Sequence, residues 1–254
     1  MRLNGRLGTL DNCIAVCDVS GSMGRITEEY DKKHVSPISA SISLSLVLAS
    51  LAKPPFDAGF ITFSAKPQYV RVYLQQSFQE QVTFMSHANC DQNTDFRAVF
   101  VDLLLPLAVK NNIKPEDMIK RLFVFSDMQF DSARYTSTYR DYYRSRDPTP
   151  WETTYDFIED AYTKAGYEVP QIVFWDLNGK TFGPKTVEVE SDRKGVAMMN
   201  GFSPALLKVF MGEQEEGGFS EWKDVATDGE LFNPINVMKK ALLRKTFEGL
   251  VVVD

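Results

Sequence analysis

The stretch Asn12-Cys13-Ile14-Ala15-Val16-Cys17-Asp18-Val19-Ser20-Gly21-Ser22-Met23-Gly24 decides the fold. Its first half is a short apolar run. Such a run, apolar at consecutive positions, predicts a central strand over 12–18 that is buried on both faces. Its second half is polar and turning, with Gly21 and Gly24 able to take the backbone angles of a tight turn. Asp18, Ser20 and Ser22 stand two apart, so an extended and then turning backbone can aim all three side chains at one point.

The rest of the chain alternates strands with helices around that segment. Residues 36–51 carry Ile38, Ile42, Leu46 and Ala49 at helical spacing, with Pro37 in the first turn, and Lys53-Pro54-Pro55 ends the helix. Residues 58–64 predict a strand, Lys66-Pro67 a turn, and 68–74 a hairpin partner. Helices are expected over 78–85, 96–110 and 151–165, with a short helical turn at Pro115-Glu116-Asp117 and Gly166 as a C-cap. Buried strands are expected over 121–127, 171–178 and 195–200, an edge strand over 186–190, and helices over 203–211 and 234–246. The pattern implies an α/β fold: a doubly wound, mostly parallel sheet with one antiparallel edge strand and helices on both faces. One domain is expected over 1–254, with an inserted segment at about 130–150 and an acidic loop at about 212–230.

Bulk composition narrows the function. Hydrophobic residues at 44% and charged residues at 24% are those of an ordinary water-soluble domain. A net charge of -6 argues against wrapping duplex DNA through bulk charge. Cys13, Cys17 and Cys90 form no close pair of the zinc-site type. On a strand, Cys13 and Cys17 would lie on one face roughly 13 Å apart, too far to bridge. They read as buried thiols of a reducing compartment. His34 and His87 lack metal-ligand spacing. No apolar stretch is long enough to span a bilayer, and no leader-like run follows Met1, so an intracellular, cytoplasmic protein with no membrane partner is expected. The start, close to the first strand, is read as that of a domain within a longer chain.

In open α/β sheets, ligands bind at the carboxyl ends of strands. Here those ends carry Asp18, Ser20 and Ser22, then Ser126-Asp127, while Asn93-Thr94-Asp95 precedes a helix. Carboxylate and hydroxyl oxygens without imidazole or thiolate suit a hard cation, Mg²⁺ or Mn²⁺. With Asp18 and Asp127 as its only charged members, the set leaves a cation electron-poor and open to an outside carboxylate. That is a binding device. An enzymatic role fits less well. Asp18 as a phosphoryl-accepting nucleophile would need a second Asp two residues on, and Ser20 stands there. A Mg²⁺-dependent phosphatase therefore remains the weakest alternative.

These residues resemble the metal-ion-dependent adhesion site of von Willebrand factor A domains, over about residues 11–253. The resemblance implies Ser20, Ser22 and Thr94 as direct ligands, with Asp18 and Asp127 often acting through water. It also implies a protein partner that offers an exposed carboxylate. AVCDVSGSM, FSDMQF and the ending near GLVVVD are similar to the C-terminal A domain of a little-characterised intracellular family of plants, fungi and large viruses. More distant is the A domain of the Ro RNA-binding autoantigen, which brings in RNA as the alternative partner. That alternative has a local basis in the 131–151 segment, where Arg134, Arg140, Arg144 and Arg146 alternate with Tyr135, Tyr139, Tyr142 and Tyr143. Arginines with aromatics can grip phosphates and stack bases. Asp131, Asp141 and Asp147 nearly cancel that charge, so a solvated or partner-covering loop is favoured. Arg134, Tyr139, Arg140, Tyr143 and Arg144 are then expected at the rim of the cation site.

Overall fold

The computed structural model describes residues 10, 12–26, 35–90, 97–127, 150–177, 195–201 and 235. Six strands form one sheet: β1 (Cys13–Cys17), β2 (Gly59–Thr62), β3 (Tyr69–Arg71), β4 (Arg121–Ser126), β5 (Gln171–Asp176) and β6 (Val196–Asn200), in the order β3-β2-β1-β4-β5-β6. All neighbours are parallel except β2 and β3, which are antiparallel. The chain leaves β1 toward β2, then returns to β4 on the other side of β1. That reversal opens a crevice at the carboxyl end of β1.

Side-chain alternation explains why β1 lies in the middle. Cys13, Ala15 and Cys17 pack with Phe123, Phe125, Val173 and Trp175 beneath α1 (Pro37–Leu51). Ile14 and Val16 face the other way, with Leu122, Val124, Ile172 and Phe174, toward Phe100, Leu104, Ile158 and Tyr162. Every residue of β1 is buried, so both faces must be apolar, as the sequence shows. The α1 helix begins at Ser36, whose side-chain oxygen accepts from the Ser39 N–H, with Pro37 in the first turn. The α2 helix (Phe78–Ser86) begins at a capping box, in which Ser77 and Glu80 satisfy each other's backbone N–H. Cys13 and Cys17 are buried thiols outside any disulfide, and burial pushes Cys17 up to about 11. His87 is exposed at the end of α2, with its Nδ1 against the Thr83 carbonyl.

The segment expected as one regular helix over 96–110 differs in its described part. Ala98–Leu104 is a π-helix that runs into α3 (Leu105–Lys110). The cause is Pro106. In an α-helix its ring would collide with the Asp102 carbonyl four residues back, and it has no N–H to donate. The wider turn relieves the collision: the Leu105 N–H reaches back five residues to Phe100 O. Tyr162, fully buried on α4 (Pro150–Ala165), donates its hydroxyl to the same carbonyl at 3.3 Å. The hairpin partner expected over 68–74 is shorter, Tyr69–Arg71; the other described elements lie within two residues of expectation, and Gly166 closes α4 with φ of 80°. The expected edge strand at 186–190, the helices at 203–211 and 234–246, the 130–150 segment and the 212–230 loop lie outside the described residues, apart from isolated positions at their margins.

Tyr162→Phe should lower stability by about 1 kcal/mol, the worth of one net hydrogen bond, measured by urea denaturation. A cost near zero would mean that the hydroxyl does not support the π-turn.

Candidate cation site

Asp18 follows β1 directly, and its backbone N–H continues the ladder by donating to Phe125 O of β4. Its side chain is only 1% exposed. Oδ1 accepts the Ser20 backbone N–H at 2.8 Å, and Oδ2 accepts the Ser126 hydroxyl at 2.7 Å. One donor comes from the strand's own turn and the other from the adjacent strand, so the carboxylate has little freedom. Asp127, one residue beyond β4, is also buried.

The turn is rigid for a reason visible in its residues. Ser20 is extended, Gly21–Met23 form one 3-10 turn, and Gly24 takes φ of 89°, a conformation that L side chains rarely adopt. Met23 is fully buried in the cluster beneath α1 and anchors the turn from below. Above it, the Ser20 and Ser22 hydroxyls meet at 3.0 Å. Ser22 is exposed and Ser20 half-buried, so the pair faces outward.

The electrostatics set this point apart. Burial holds the Asp18 carboxyl above its ordinary range. Hydrogen bonds from Ser126 and Ser20 pull it back, and the Asp127 charge pushes it up again. A bound divalent cation would relieve both of the unfavourable influences. Cys90 completes the surroundings, 3.7 Å from Asp18 Oδ1 and 3.3 Å from the Phe63 carbonyl. Burial pushes its thiol up to about 12, so it stays protonated at neutral pH.

The donor set fits a hard cation. Adjacent ligands on an octahedral Mg²⁺, bound at 2.0–2.1 Å, lie about 2.9 Å apart. The two serine oxygens already stand at that separation. Among the described residues no three His, Cys, Asp or Glu side chains group to hold a metal.

Of the five expected cation residues, the structure brings Asp18, Ser20, Ser22 and Asp127 to the carboxyl ends of two neighbouring strands. Thr94 lies outside the described residues, as do the rim residues Arg134, Tyr139, Arg140, Tyr143 and Arg144. Two residues were not singled out for the site from sequence. Ser126 was quoted only beside Asp127, although its place at the end of a strand next to β1 is the signal that it meets Asp18. Cys90 meets Asp18 across 72 residues, a contact that local sequence does not signal.

Residues 12–242 match the family model described as Domain of unknown function (DUF7788). The chain belongs to that family. It is also similar to an uncharacterized protein of Acanthamoeba polyphaga mimivirus, with 32% identity over 208 residues. That match covers 82% of this chain and 32% of the viral protein, so the chain spans about a third of its relative's length. Among solved structures it is similar to the Deinococcus radiodurans RO (RSR) protein, with a TM-score of 0.46 and 15% identity, over 78% of this chain and 33% of that one. Among the described residues no helix is long and apolar enough to cross a membrane.

The raised Asp18 carboxyl gives a signed prediction. Between its ordinary value and its raised one, the native state holds more protons than the unfolded chain. Stability therefore falls as pH climbs through that window, and the ionised carboxylate remains a cost at neutral pH. In cation-free buffer, Asp18→Asn should melt at or above wild type at neutral pH, and this advantage should shrink in acid. Thermal melts across that range check it, and a variant that melts lower at neutral pH would contradict it.

Proposed function

We propose that this chain is a non-enzymatic, divalent-cation-dependent interaction domain of the von Willebrand factor A type. Ser20, Ser22 and Thr94 would hold Mg²⁺ or Mn²⁺, with Asp18 and Asp127 orienting its waters. A carboxylate from a protein partner would complete the shell. The observation that carries this reading is the serine pair, 3.0 Å apart and aimed outward over the buried Asp18. The cation supplies a positive, ligand-hungry centre. The protein's own residues fix its place and leave one side open.

The weakness of the ligand set supports binding over catalysis. Two buried carboxylates and neutral hydroxyls leave positive charge on the ion, which favours capture of an anionic side chain. Metal-assisted hydrolysis would need a general base within reach of a metal-bound water. The Asp18 carboxylate is committed instead: its two oxygens accept hydrogen bonds from the Ser20 N–H and the Ser126 hydroxyl.

The tests are a melt and a capture. With free Mg²⁺ at about a hundred times Kd, the native state should gain about 2.7 kcal/mol. Ser20→Ala combined with Ser22→Ala should abolish that gain with little change in the cation-free melting temperature. Binding of carboxylate-bearing peptides to the immobilised chain should require Mg²⁺ and vanish with EDTA or Asp18→Ala. Mg²⁺ stabilisation that survives loss of both serines would overturn the reading.

A further inference from the structure

The cation reading leaves Cys90 without a task, yet its sulfur joins two parts of the fold. Sγ lies 3.3 Å from the Phe63 carbonyl, one residue beyond β2, and 3.7 Å from Asp18 Oδ1, one residue beyond β1. Its thiol thus sits between the carboxyl ends of two neighbouring parallel strands. The residue is half-buried and packs on the cluster that holds Phe63 and Val99. In sequence it stands four residues before Thr94.

The donors to Asp18 divide by origin. Ser20 belongs to the turn after β1, and Ser126 to β4. Cys90 supplies the contact from the β2 side. With it, the carboxylate is held from its own turn, from β4, and from Cys90, which itself rests against the end of β2. Without it, two short hydrogen bonds remain, enough to keep Asp18 in place for folding but with less constraint on its orientation.

We propose that Cys90 is a positioning residue of the cation site: its thiol orients the Asp18 carboxylate from beside the ends of β1 and β2. The proposal rests on the cation reading given above. Partners that orient a metal-site residue typically change metal affinity by tenfold to a hundredfold when removed. A sulfur contact of 3.7 Å belongs at the low end of that range.

The experiment is a calorimetric Mg²⁺ titration of the full chain as wild type, Cys90→Ala, Cys90→Val and Cys90→Ser, with a cation-free melt of each. Valine keeps the bulk without a donor, which guards against a collapsed or cavity-bearing alanine variant. Serine keeps one donor. Wild type should bind Mg²⁺, alanine and valine should weaken it about tenfold, and serine should recover most of the loss at a cation-free melting temperature similar to theirs. Wild-type affinity in alanine and valine, or a serine variant as weak as they are, would overturn the positioning role alone. A flat wild-type titration would overturn the cation reading itself, and the role of Cys90 with it.

Discussion

The carboxylate of Asp18 is the constraint around which this fold is arranged. It stands at the end of a strand whose every residue is buried, where the sheet's connections reverse direction. There the Ser126 hydroxyl from β4 and the Ser20 N–H from its own turn both close on it. A carboxyl so placed is costly to ionise, and Asp127 makes it more so. An arrangement that draws two acids together under a pair of outward hydroxyls is unfavourable in isolation. A cation sharing the space would offset that cost.

That cost explains other features of the site. The turn after β1 is held from below by buried Met23 and shaped by Gly24 at positive φ, so the two serines are preorganised and need not be gathered on binding. The sheet supplies rigidity on the same principle. Phe123, Phe125 and Trp175 form an aromatic run across β4 and β5 beneath the α1 side, with Phe125 and Trp175 centroids 5.5 Å apart. Ser126 rides on the end of that packed strand. Core and site therefore meet in β4, whose last residue donates to Asp18 and whose next residue is Asp127.

Much of this could be read from residues 12–24. A run apolar at consecutive positions fixes a strand buried on both faces. The spacing of Asp18, Ser20 and Ser22 points the oxygens together, and the glycines mark the turn. The parallel order followed from strands alternating with helices, and the single hairpin at Lys66-Pro67 gave the antiparallel edge. What escaped was tertiary in origin. The π-helix arises from Pro106 colliding with a carbonyl four residues back, and hydrophobic periodicity does not distinguish that relief from a regular helix. Cys90 meets Asp18 across 72 residues, a contact that no local pattern records. Ser126 was visible, but its role depends on β4 lying next to β1 and not next to β2.

The central claim is that the Ser20 and Ser22 hydroxyls bind one hard cation above Asp18. Anomalous diffraction from crystals soaked in Mn²⁺ tests it most directly. The account predicts a single strong peak within about 2.3 Å of both serine oxygens, with Asp18 beyond inner-sphere distance and an outer position filled by water or a neighbouring carboxylate. A peak seated elsewhere, or an Mn²⁺-soaked crystal in which the two hydroxyls remain bonded to each other with no peak between them, would contradict it.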